Sequence, residues 1–121
     1  MASNSPKRRV LFVVSSDPRS SHLPAEALRI AAGLAVWKEV EVEVALRGPA
    51  VLLLHMAGFG LVNEEEIARS LAILVESGGA ICVEETNPLL PPAGQLAASC
   101  QRLDQKTFAA RAAESGSVIR F

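Results

Sequence analysis

Apolar and polar positions alternate in blocks along this chain, and the blocks predict strands and helices in turn. Val10-Leu11-Phe12-Val13-Val14 is a continuous apolar run rich in β-branched residues, the pattern of a strand buried on both faces of a parallel sheet. Ser15 to Ser21, with Asp17 and Pro18, breaks the run as a turn. A helix is then predicted from about His22 to Trp37. Leu23, Ala27, Ile30, Ala31 and Leu34 recur at helical steps, with Glu26 and Arg29 on the other side. Val40-Glu41-Val42-Glu43-Val44 alternates strictly, so its valines share one face and its glutamates a wetter one. On that reading Val42→Asp unfolds the protein and Glu43→Lys is tolerated.

Arg47-Gly48-Pro49 ends this strand. Ala50 to His55 is apolar without a clear period; a short helix is the preferred reading and a strand the alternative. Met56 to Val62, with two glycines, is predicted as a loop. Asn63 followed by Glu64-Glu65-Glu66 predicts a capped helix start with acids at the positive end of the dipole. Gly78-Gly79 stops that helix, and Ala80-Ile81-Cys82-Val83 reads as a short strand leading into Glu84-Glu85-Thr86-Asn87-Pro88. Helical patterns follow at about Gln95 to Leu103 and Lys106 to Glu114, then a last strand, Val118 to Phe121. Strands alternating with helices imply right-handed crossovers: a three-layer α/β/α domain with about five mainly parallel strands.

Length and charge narrow the function classes. The 121 residues suit one domain spanning 1–121. Twelve basic against thirteen acidic residues leave a net charge of −1, so no positive field gathers a polyanion, and nucleic acid is not an expected partner. No apolar run approaches the roughly 18 to 20 residues that cross a bilayer, and the start is polar, so no membrane association is expected and a cytoplasmic location is. The segments Ala50 to Met56 and Leu89-Leu90 are more apolar than one small domain easily hides, which points to a homo-oligomer.

Candidate chemistry belongs to the loops beyond the carboxyl ends of the strands, where open parallel sheets gather their ligands. The first loop has neither a glycine fingerprint for dinucleotides nor a phosphate-loop lysine, and no cofactor is implied. Ser20 and Ser21 serve as helix caps; with Arg47 on the next loop they form the candidate anion-binding group. No metal-ligand spacing is present. Cys82, where the third strand meets its loop, is the candidate catalytic residue, against the bland reading of a packed thiol. Glu84 and Glu85 would raise its pKa, and the helix after Ser21 or Arg47 would offset them. Cys100 is placed mid-helix, and His22 and His55 are read as structural.

The strand-loop-helix opening from Val10 to Ala32, then Val42-Glu43-Val44-Ala45-Leu46-Arg47-Gly48, Ile81-Cys82-Val83 and Val118-Ile119-Arg120-Phe121 together resemble the DsrE/DsrF/TusD sulfur-relay family. The resemblance implies a DsrE-like fold, a trimer or hexamer, and a persulfide carried on Cys82. It makes the chain a sulfurtransferase-like relay that takes a sulfane sulfur and hands it to a partner protein thiol. The sequence departs from the family after the cysteine, where an acidic, proline-broken stretch stands. The alternative is a non-catalytic oligomeric binding or scaffold subunit of the same fold, with Cys82 purely structural. Exposure of Cys82 separates the two.

Overall fold

The computed structural model of the chain describes residues 8–55 and 60–121. Five parallel strands form one sheet: β1 (Arg8–Val14), β2 (Val40–Leu46), β3 (Ala80–Glu84), β4 (Gln101–Leu103) and β5 (Ser117–Arg120), in the order β4-β3-β2-β1-β5. The long apolar run lies in β1, between β2 and β5, and its residues from Val10 on are buried on both faces. Helices α1 (Leu23–Trp37) and α2 (Glu64–Glu76) cover one face, and α3 (Gln105–Glu114) lies on the other. The chain steps from β1 through β3 in one direction with α1 and α2 on one side. It then returns from β4 to β5 with α3 on the opposite side, which keeps one crossover hand throughout.

The two layers differ greatly in thickness. Between the sheet and α1/α2 lie Phe12, Val14, Val44, Leu46, Leu28 and Leu74, all essentially unexposed, and Phe12 stacks on Phe121 with ring centres 6.0 Å apart. The other layer is a small cluster of Leu11, Val13, Ala45, Cys82, Leu103 and Phe108. Phe108 is the one buried residue of α3. The helix is started by Asp104, whose Oδ1 accepts from the Thr107 amide at 2.7 Å, and it is tied to the sheet by Arg111.

Several sequence expectations are corrected. The short helix preferred for Ala50 to His55 is present, as a 3₁₀ helix over Gly48–Leu54, but Ala50 to Leu54 are buried in the larger core and supply no surface for association. The expected loop at 56–62 falls partly on residues 56–59, outside the described ones. Asn63 precedes α2 with a left-handed φ of 60° and makes no side-chain cap; the three glutamates alone meet the dipole. No helix spans Gln95 to Leu103: residues 93–95 make a single 3₁₀ turn, and β4 pairs with β3 from Gln101 to Leu103. Glu43 does not face water. It is 4% exposed, because α3 covers the face of β2 that the alternation marks as polar.

The end of α2 bears out the glycine signal. Gly78 has φ +89°, its amide donates to the Val75 carbonyl at 3.1 Å, and the Gly79 amide donates to the Leu74 carbonyl at 2.8 Å. These two bonds satisfy the last helical carbonyls. A Cβ on Gly79 would lie 2.3 Å from the Leu74 side chain, so the chain can turn into β3 this closely only without one.

Candidate functional site

The carboxyl edge of the sheet has an open cleft of about 510 Å³, walled in part by Ser15, Arg47, Glu84, Thr86 and Asn87. Local bonding holds its rim. Asn87 Nδ2 donates to the Gly48 carbonyl at 3.1 Å, while its Oδ1 accepts from the Leu89 amide at 2.9 Å. Arg47 Nε stands 3.6 Å from Glu84 Oε1. The guanidinium thus has a carboxylate neighbour, and its pull on an anion is reduced by that charge.

The three residues expected to bind an anion are not assembled. Arg47 belongs to the cleft wall, and Ser20 and Ser21 do not. Ser21 Oγ accepts from the Leu23 amide at 3.1 Å, a local bond at the start of α1, although the residue in the cap position is His22. The Ser20 amide donates to the Asp17 carbonyl within the turn. Arg19, in the same loop, is held by Asp17 through both carboxylate oxygens, and this bonding keeps the Asp17 carboxyl below its usual range.

Cys82 lies one residue deeper in its strand than expected. The strand runs on to Glu84, and Cys82 sits in its middle, level with Ala45 of β2 and Gln101 of β4. Its side chain is on the α3 side, with no exposed surface. Burial pushes the thiol up to about 12; the Glu43 carboxylate adds to the rise, and Arg111 opposes it. Glu84 and Glu85 were the acids expected to raise this pKa, and Arg47 the base expected to offset them. The acid and base that do so are Glu43 and Arg111, contributed by a neighbouring strand and by α3. The β2–β3 register explains the first, because Glu43 stands opposite Ala80 and is therefore one pleat before the residue level with Cys82. Parallel register is not written in either strand alone.

Cys100 is in the segment before β4, half-buried, and packs against the α1/α2-side core; burial raises its thiol too. The structure places His22 at the start of α1, and His55 at the end of the 3₁₀ helix, bridged to Leu96. Among the described residues no group of three or more His, Cys, Asp or Glu side chains is placed to hold a metal ion. No helix there is long and apolar enough to cross a membrane.

No family model matches the chain, and no curated protein matches it in sequence. Its fold does have solved relatives. The crystal structure of the ychN protein from E. coli superposes with a TM-score of 0.74 at 18% identity, over 94% of this chain and 99% of that one. The ychN protein has a DsrE-like fold, so the architecture expected from the sequence is the one observed, while membership of the family is not shown by a likeness at this identity.

Proposed function

We propose that this DsrE-like chain is a non-catalytic subunit that works by association, and that Cys82 is part of its core instead of a sulfur carrier. The carrying observation is the burial of Cys82 at 0% exposure beneath α3. Sulfur transfer requires a thiolate to attack a sulfur atom in line, so it needs both access and ionisation. A buried thiol with a pKa of about 12 has neither. The relay reading, in which Cys82 accepts a persulfide sulfur from one protein and gives it to another, requires α3 to leave the sheet first.

Association has support at one end of the helical layer. Val36 and Trp37 close α1 with 55% and 63% exposure, and Val75 near the end of α2 is also exposed. Lys38 Nζ, donating to the Ser77 carbonyl at 3.2 Å, ties these two helix ends together. An apolar patch of this kind, rimmed by polar groups, suits contact with a further copy of the chain. Light scattering at micromolar concentration is expected to give a mass above one chain, and Trp37→Glu to lower it. A monomer would sink the associative part. Treatment of the reduced native protein with a persulfide donor, followed by intact mass spectrometry, is expected to leave the Cys82 peptide unchanged. A gain of one sulfur, about 32 Da, on that peptide would restore the relay.

A further inference from the structure

Arg47 and Glu84, which wall the open cleft, also stand at the rim of a second space, a cavity of about 230 Å³ between α3 and the sheet. Its origin lies in the helix. Gln105, Phe108, Ala109 and Ala112 fall at i, i+3, i+4 and i+7, the positions that α3 turns to the sheet, and all four line the cavity. Phe108 is the only bulky apolar side chain of the four, and the alanines beside it leave the gap between helix and sheet unfilled. Leu11, Val13 and Ala45 close the floor. Protein interiors seldom keep an apolar void of this size, and one that persists takes up small apolar molecules.

One charge at this cavity is left over. The register sets Arg120 of β5 level with Val13 of β1, and residues at one level of a parallel sheet point to the same side, so Arg120 projects to the α3 side together with Val13. Its guanidinium has no hydrogen-bonding or ionic partner among the described residues, whereas Arg47 stands beside Glu84. The rim thus carries two cations against one anion, and the unmatched cation is Arg120. We propose that the cavity binds a small organic monoanion with an apolar body, a monocarboxylate of the aromatic or branched-chain class. Its body lies between the sheet and Phe108, Ala109 and Ala112, and its carboxylate meets Arg120. The guanidinium fork suits a carboxylate, and the arginine stem can follow the apolar wall while its head meets the charge. A volume below the roughly 300 to 1,000 Å³ of drug-sized sites limits the body to a single ring or a short branched chain.

The test is an amide-resolved NMR titration of the native protein with benzoate and isovalerate, and with acetate and benzylammonium as controls that lack the body or reverse the charge. Benzoate or isovalerate is expected to give saturable shifts at millimolar concentration, centred on Val13, Phe108, Ala112 and Arg120, and neither control is expected to give them. Arg120→Gln changes an exposed side chain, and it is expected to weaken binding about tenfold or more, the loss of one charge-assisted pairing, with the melting temperature unchanged. Ala112→Leu, which fills the gap, is expected to abolish the shifts while the protein retains its dispersed spectrum. No saturable shift with either carboxylate overturns the site. Equal shifts with acetate overturn the apolar body, and equal shifts with benzylammonium overturn the charge. Undiminished binding in Arg120→Gln overturns the role of that residue, and shifts mapping to Ser15, Gly48 and Asn87 overturn the location.

Discussion

Glu43→Lys is expected to destabilise the protein by about 4 kcal/mol, a large part of the total stability of about 5 to 15 kcal/mol usual for a domain, and so to lower its melting temperature sharply. The substitution exchanges a buried carboxylate for an ammonium 68 positions away in sequence from Arg111 but within its hydrogen-bonding reach. The Arg111–Glu43 pair is lost, and a second cation is forced against a guanidinium in a site with little water to screen it. The companion variant separates charge from packing. Replacing Glu43 and Arg111 together by leucine removes both charges, and such replacements of a buried pair are often neutral or stabilising, so the double variant is expected to melt within a few degrees of the parent. Thermal melts followed by circular dichroism measure both. A Glu43→Lys protein as stable as the parent would mean that α3 does not cover this part of β2.

Val42→Asp should be as damaging by a different route. Val42 is 5% exposed, level with Val10 of β1, and belongs to the apolar core on the α1/α2 side. An unpaired carboxylate there either stays charged in an apolar surround or protonates, and either course costs several kcal/mol against a total stability of about 5 to 15. The expected result is loss of the cooperative thermal transition at neutral pH. Acid should restore part of it, because protonation removes the buried charge. A transition within a few degrees of the parent would show that β2 is rotated by one residue.

These neighbouring residues mark where the sequence is legible and where it is silent. The alternation Val40-Glu41-Val42-Glu43-Val44 assigns the two faces correctly, and the apolar run in β1 correctly marks a strand buried on both sides. Polarity, however, does not equal exposure. Glu41 is exposed and Glu43 is not, because α3, more than sixty residues further on, carries Arg111 over the second and not the first. The same helix decides the candidate site. Ile81-Cys82-Val83 reads as a strand approaching its loop, yet pairing with β4 extends it to Glu84 and leaves the thiol under Phe108 and its neighbours. β4 itself was missed for a related reason. Leu96, Cys100 and Leu103 fall at i, i+4 and i+7, the spacing of a helical stripe, and Gln101 to Leu103 become a strand because the edge of β3 offers them hydrogen bonds. Helix ends fare better, since Gly78 and Gly79 act through local backbone geometry that the sequence states directly.

The burial of Cys82 is the claim on which the functional reading rests, and thiol labelling tests it most directly. Burial pushes the Cys82 thiol up to about 12, so it stays protonated at pH 8, and α3 shields it as well. The native protein, treated with a small alkylating reagent at pH 8 and mapped by mass spectrometry, should label at half-buried Cys100 first and leave Cys82 unmodified. Cys82 should react only as denaturant unfolds the chain, in step with the loss of circular dichroism. Labelling of Cys82 in the folded protein at a rate equal to that of Cys100 would contradict the account and return this cysteine to the role of sulfur carrier.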